Sequence, residues 1–235
     1  MEPIISYRYG DLRLQSAVSL AAKEIEPLAG MMLRSPEKQD NGLGGRVAVS
    51  RITLPEIGPA VLKYYRRGGL IRRVLKDRYL YNTRRRCRKE FDMLARVRSL
   101  GVTAPRPLVA AFSSGLFYCC WLITEAIDSA GSLADLSRRK PVAAKRCTRQ
   151  AAEQIKILID NRILHVDLHP GNVLVGTDGR VHLIDFDRAR RYRLGGSNLG
   201  RRYRRRWQRA VVKHDLPAFL VDELDAGLAD PTRPL

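Results

Sequence analysis

The stretch that most constrains this chain runs from His165 to Asp187. It opens with His165-Val166-Asp167-Leu168-His169-Pro170-Gly171-Asn172 and continues as Val173-Leu174-Val175. An Asp178-Gly179 pair follows, then Val181-His182-Leu183-Ile184-Asp185-Phe186-Asp187. Apolar, mostly β-branched runs on either side of Asp-Gly predict a hairpin. That hairpin brings Asn172, at the start of its first strand, close to Asp185, at the end of its second, with Asp167 on the loop before them. Two carboxylates and an amide oxygen form a set of hard oxygen donors suited to Mg²⁺ held on nucleotide phosphates. A polar hairpin also puts Asp and Asn in its turns. Here, however, the three residues come in a fixed order between apolar strands, which a turn does not require.

The order is H-x-D-x-x-x-x-N followed by D-F-x, which resembles the catalytic loop and metal-binding Asp of kinases, and the Asp-to-Asn spacing matches residue for residue. Asp-Phe-Asp stands where Asp-Phe-Gly is usual. The match assigns Asp167 to orient or deprotonate an acceptor hydroxyl, and Asn172 and Asp185 to hold the metal. His165 reads as a structural hydrogen-bonding group, and His169 as a polar contact near the substrate. Nearby Cys and His residues lack zinc-ligand spacing.

Upstream residues supply the other half of such a site. Lys38 to Arg46 is a loop by composition, and Gly42, Gly44 and Gly45 would let backbone N–H groups approach phosphates. Alternation at Val47, Val49, Ile52 and Leu54 predicts a strand, and Ala60 to Tyr65 a second one carrying Lys63. A cation there can reach nucleotide phosphates. Arg84 to Leu100 reads as a helix in which Glu90 shares a face with Leu94 and Val97. A carboxylate facing inward needs a partner, and Lys63 is the candidate. Gly101 ends that helix. Leu116 to Thr124 reads as a strand, after which Glu125-Ala126-Ile127 is the expected hinge for an adenine edge. Ser132 is the expected cap of a helix starting at Leu133, and residues 143–163 form a longer helix. In the first 35 residues only Val18 to Ile25 suggests a helix, ending before Pro27.

Charge adds a partner class. The formal net charge is +19, and residues 63–98 and 188–213 each carry +11, so the remainder is −3. Such concentration points to a polyanionic partner: nucleic acid, an anionic membrane surface or a phosphorylated substrate. Cys87, Cys119, Cys120 and Cys147 form no C-x-x-C pair and read as reduced thiols. No leader sequence is expected at the N-terminus, and the longest apolar patch is too short to span a bilayer.

With these residues in place, the chain resembles the lipopolysaccharide core kinases, and within them the 3-deoxy-D-manno-octulosonic acid (Kdo) kinases of Gram-negative bacteria. The resemblance rests on Val61-Leu62-Lys63-Tyr64-Tyr65-Arg66-Arg67-Gly68-Gly69-Leu70, Lys76-Asp77-Arg78-Tyr79-Leu80, His165-Val166-Asp167-Leu168, Ile184-Asp185-Phe186-Asp187-Arg188 and Asn198-Leu199. It covers roughly residues 42–210. It implies an α+β, two-lobed protein-kinase-like fold, with an N-terminal lobe over residues 1–126 and a C-terminal lobe over 127–235. It implies ATP and Mg²⁺, and transfer of the γ-phosphate to a Kdo hydroxyl, usually the 4-OH, of Kdo–lipid A. His169-Pro170-Gly171 departs from the family's usual polar stretch, which leaves an inner-core heptose open as acceptor. Arg66, Arg67 and Arg78, with His169, are the expected substrate contacts, since arginine forks pair with carboxylate or phosphate. A cytoplasmic protein, peripheral on the inner membrane and without a nucleic-acid partner, is the implied setting.

Two other readings differ in acceptor or in class. An atypical protein kinase would share the catalytic residues, but basic sequence follows Asp187 at once and no A-P-E is present. A basic nucleic-acid-binding protein would explain the charge and leave Lys63, Asp167, Asn172 and Asp185 as coincidence.

Overall fold

The computed structural model describes residues 3–33, 48–55, 57–65, 79–80, 86–114, 117–193 and 195–229. They divide into two compact units, one of residues 1–95 with 106–126, the other of 96–105 with 127–235.

The first unit holds β1 (Ile5–Tyr9), β2 (Leu12–Ser16), α1 (Ala22–Leu33), β3 (Ala48–Leu54), β4 (Gly58–Tyr64), β5 (Tyr79–Leu80), most of α2 (Arg86–Ser99), β6 (Pro107–Ser113), β7 (Phe117–Tyr118) and β8 (Cys120–Glu125). Six strands form one antiparallel sheet in the order β1-β2-β6-β8-β4-β3, and β5 pairs with β7. Leu12, Leu14, Leu62, Leu108, Trp121 and Ile123 line its core with Leu28, Ala29 and Met32 of α1. The helix expected before Pro27 instead runs through it, from Ala22 to Leu33. A proline inside a helix costs about 3 kcal/mol, while fully burying Leu28 and Met32 returns about 1.5–3 kcal/mol each. Packing against the sheet therefore overrides the break.

α2 has the predicted phase. Glu90, Phe91, Leu94 and Val97 are buried, and Gly101 ends the helix at φ +92 with its N–H on Arg98 O.

The second unit holds β9 (Ser129–Ser132), α3 (Leu133–Arg139), α4 (Pro141–Asp160), β10 (Ile163–Leu164), β11 (Val173–Gly176), β12 (Val181–Leu183), β13 (Arg190–Arg191), α5 (Gly196–Lys213) and α6 (Phe219–Leu228). Ser132 caps α3 in a full capping box with Asp135. β11 and β12 form the hairpin expected around Asp178-Gly179, with β9 on the other side of β11. Gly179 takes φ +78 at its turn. Gln154 of α4 fixes the hairpin, donating to Val181 O and accepting from Thr103 N–H. α4 packs on α6 so closely that a Cβ at Gly227 would lie 2.5 Å from Ala152 Cβ. Among the described residues no helix is long and apolar enough to cross a membrane.

Candidate active site

In the first unit β4 carries Lys63 and α2 carries Glu90. The Lys63 ammonium lies 3.0 and 2.9 Å from the two carboxylate oxygens of Glu90. Glu90 is 4% exposed and Lys63 13% at their side chains, so the pair is largely desolvated. The hydroxyl of Tyr65, itself buried, donates to Glu90 Oε2, and the Lys63 ammonium sits 5.3 Å from the Tyr65 ring centre. Glu125 ends β8, exposed. Its N–H donates to Arg106 O and that of Ala126 to Pro59 O, so both amide hydrogens are engaged within the protein. What Glu125 can offer an adenine edge is thereby narrowed to acceptor atoms. Gly42, Gly44, Gly45, Arg66, Arg67 and Arg78 lie outside the described residues.

In the second unit the loop 165–172 is pinned from several sides. His165 is buried, and its Nε2–H donates to Ile184 O at 2.9 Å, with the ring edge-on to Phe186. Its Nδ1 is buried with no partner among the described residues. Burial holds its pKa below the usual histidine value, so the ring stays neutral. The His165 backbone N–H donates to Tyr203 Oη, whose hydroxyl donates to Ile163 O. Burial also raises the Tyr203 phenol, which keeps this bridge protonated.

His169 caps a single 3₁₀ turn, Pro170–Asn172, its Nδ1 accepting from Gly171 N–H at 3.1 Å. Burial, with Arg206 adding to it against an opposing pull from Asp167, lowers His169 to about 4. At neutral pH it is an uncharged ring whose free hydrogen is on Nε2.

Asn172 Nδ2 donates to Asp167 O at 2.9 Å, and Ile184 N–H donates to Asn172 O. Because a backbone carbonyl only accepts, the amide orientation follows, and Asn172 Oδ1 is the end left for another partner. Asp185 is exposed in the left-handed region at φ 63, the conformation that Asp and Asn tolerate best among residues with a Cβ. The hairpin register therefore brings Asp167, Asn172 and Asp185 to one end of the unit, as the sequence predicts. No three His, Cys, Asp or Glu side chains form a metal cage among the described residues. An oxygen pair such as Asn172 and Asp185 suits a cation that takes its remaining ligands from phosphate and water.

Two residues the sequence reading missed complete this end. Arg206 of α5 donates from Nη2 to Asp167 Oδ1 at 3.1 Å, and Arg188 Nη1 lies 3.8 Å from Oδ2. Arg206 had a signal within its arginine run. Tyr203, Trp207 and Ala210 set the inward face of α5, and Arg206 lies three residues after the first and four before the last. The other arginines divide: Arg204 pairs with Asp225, while Arg201, Arg202, Arg205 and Arg209 are exposed.

A buried lysine–carboxylate pair is suited to placing a cation on phosphates. A half-exposed carboxylate beside an Asn and a second Asp is suited to aligning a hydroxyl for in-line displacement.

A kinase named 3-deoxy-D-manno-octulosonic acid kinase from Vibrio parahaemolyticus is 34% identical to the chain over 139 residues, 58% of each protein. One of the same name from Vibrio cholerae is 32% identical over 130 residues, 54% of this chain and 55% of the relative. A third, from Stenotrophomonas maltophilia, is 34% identical over 151 residues, 63% and 59% of the two. The matched part of the chain thus spans just under three fifths of the length of these curated relatives. The model of the lipopolysaccharide kinase (Kdo/WaaP) family matches residues 29–221, which takes in both the Lys63–Glu90 pair and the loop and hairpin of Asp167, Asn172 and Asp185. With most of its length inside that match and an α+β, kinase-like fold to go with it, this chain belongs to the lipopolysaccharide kinase (Kdo/WaaP) family.

Proposed function

We propose that this protein transfers the γ-phosphate of ATP to a hydroxyl, the 4-OH on the family reading, of a Kdo residue on Kdo–lipid A. The observation that carries the reading is the buried Lys63–Glu90 pair. Such a pair contributes little net stability, because desolvation offsets its attraction. Its place at the end of β4 fits a role on nucleotide phosphates.

In the reaction the acceptor oxygen forms a bond to the γ-phosphorus as the bond to the β–γ bridging oxygen breaks, and ADP leaves. Asp167 accepts the hydroxyl's hydrogen bond and takes its proton. Arg206 holds one oxygen of that carboxylate. Lys63, fixed by Glu90, binds the nucleotide phosphates. Asn172 and Asp185 are the residues that would hold magnesium, which supplies charge neutralisation on the phosphates. His165 keeps loop and hairpin together through Ile184 O. The glycines at 42, 44 and 45 would cover the phosphates, and Arg66, Arg67, Arg78 and neutral His169 would contact the acceptor.

The acceptor's anchor is a lipid, so the protein must meet a membrane surface. Arg190, Arg191, Arg193, Arg201, Arg202, Arg205, Arg209 and Lys213 are exposed on β13 and α5 or between them, and each cation near an anionic leaflet contributes about 1 kcal/mol. Arg204 and Arg206 have carboxylate partners and do not belong to this set.

ATP turnover with purified Kdo–lipid A, followed by mass spectrometry, tests the reading. A gain of one phosphate on the Kdo residue is expected. Phosphate on a heptose, or on protein only, would refute it. Sedimentation with anionic vesicles at low salt, release at high salt, and weakened attachment after reversing Arg201, Arg202 and Arg205 are the expected surface behaviour.

A further inference from the structure

Asp167 is held by two guanidiniums in two different ways. Arg206 makes a 3.1 Å hydrogen bond to Oδ1 from the helix that also carries buried Tyr203 and Trp207, and its side chain is 27% exposed. Arg188 approaches Oδ2 only to 3.8 Å, beyond hydrogen-bond distance, with a side chain 66% exposed on a single 3₁₀ turn. The first is anchored, and the second is loosely held.

An acceptor hydroxyl has to come within hydrogen-bond reach of one Asp167 oxygen. Oδ1 already accepts from Arg206 while Oδ2 has only the 3.8 Å approach of Arg188, so the hydroxyl docks at Oδ2 and moves Arg188 aside. The displaced guanidinium is then available to pair with an anion on the acceptor. A neutral sugar brings none. A sugar acid brings its own carboxylate, which a guanidinium binds through two parallel N–H bonds.

We propose that Arg188 is the acceptor-specificity residue, exchanging Asp167 for the carboxylate of an acidic sugar as the hydroxyl docks. The proposal rests on the phosphotransferase reading above and adds to it the residue that selects an acid. Arg206, by contrast, is a positioning residue that keeps Asp167 aimed.

The test uses the full chain, ATP and two soluble acceptors, a 3-deoxy-octulosonic acid glycoside and its neutral carboxamide. Wild type should prefer the acid in kcat/KM by roughly ten- to hundredfold, the worth of a hydrogen bond to a charged group. Arg188→Ala should lose most of that preference through a raised acceptor KM, with the KM for ATP unmoved, and Arg188→Lys should regain part of it. Arg206→Ala should lower kcat on both acceptors and keep the preference. Thermal melts of the exposed Arg188 variants should match wild type. Equal use of both acceptors by wild type, or an undiminished preference in Arg188→Ala, would overturn this inference and leave the phosphotransferase reading standing. Transfer to neither acceptor, with Kdo–lipid A also unmodified, would overturn both.

Discussion

Removing Lys63 should damage the protein in a way that removing Glu90 as well partly repairs. At 2.9 Å and an effective dielectric of about 20, the attraction in the pair is about 6 kcal/mol before desolvation is subtracted. Breaking a buried pair from one side typically costs about 3–5 kcal/mol, because the remaining charge stays desolvated. Lys63→Met leaves the Glu90 carboxylate, 4% exposed, without that ammonium but still bonded to the Tyr65 hydroxyl, so a cost within this range applies. Glu90→Leu leaves a lysine whose flexible stem can carry its charge toward water. It should cost less, about 2 kcal/mol. The double variant should then fall short of the sum by at least ~2 kcal/mol, toward the upper end of couplings seen for contacting residues. Urea unfolding followed by circular dichroism measures all three. Additivity within ~0.5 kcal/mol would refute the argument, and so would a Lys63→Met variant as stable as wild type.

The remaining expectations concern chemistry, acid and packing. Asp167→Ala should lower kcat by ~10²–10⁴-fold with little change in the KM for ATP, whereas Asp185→Asn, isosteric and equally tolerant of φ 63, should keep the fold and lose magnesium-dependent transfer. A large rise in the KM for ATP in the first variant, or full activity in the second, would reverse these assignments. Acidification should destabilise the protein: with His169 lowered to about 4 and His165 also below its ordinary value, the unfolded chain binds more protons between pH 6.5 and 4. Stability is then full above 6.5 and falls as pH falls; His169 accounts for about 1–2 kcal/mol of this after allowance for its partial exposure. His169→Asn should flatten the slope of unfolding free energy against pH, and an unchanged slope would contradict the assignment. Gly227→Ala should destabilise by about 1–2 kcal/mol despite alanine's better helix propensity, since its Cβ meets that of Ala152, and adding Ala152→Gly should restore much of the loss in a thermal melt.

What could be read from the residues was local or periodic. The β11–β12 hairpin was legible because Asp178-Gly179 sits between β-branched runs, and both the turn and the strands are decided within a dozen residues. Glu90 was legible because helical phase alone puts it with Leu94 and Val97. The β1–β2 hairpin was missed. Ile5, Tyr7 and Tyr9 alternate with Ser6 and Arg8, but the run is only five residues long and mostly exposed, and its pairing with β2, itself paired to β6, is what makes it part of a sheet. α1 was cut short at Pro27 because the force that carries it through is long-range burial. The contacts of Arg206 and Arg188 with Asp167 are not legible in the sequence for a related reason. Among so many arginines, composition suggested a shared surface role, and only the fold singles out the two that meet Asp167.

The Tyr203 bridge has a consequence for how the protein comes into being. The whole pattern from His165 to Asp187 leaves the ribosome before the groups that hold it in place. Tyr203, which ties Ile163 O to His165 N–H, follows about 40 residues behind, and Arg206 trails Asp167 by the same interval. Trp207, one turn beyond Tyr203, is in turn held by its indole N–H on Leu220 O. A nascent chain halted at residue 195 would therefore carry every residue of the kinase pattern and lack these ties. Its catalytic loop would be assembled only when α5 and α6 dock, so competence arrives together with α5, not piecemeal with the motif.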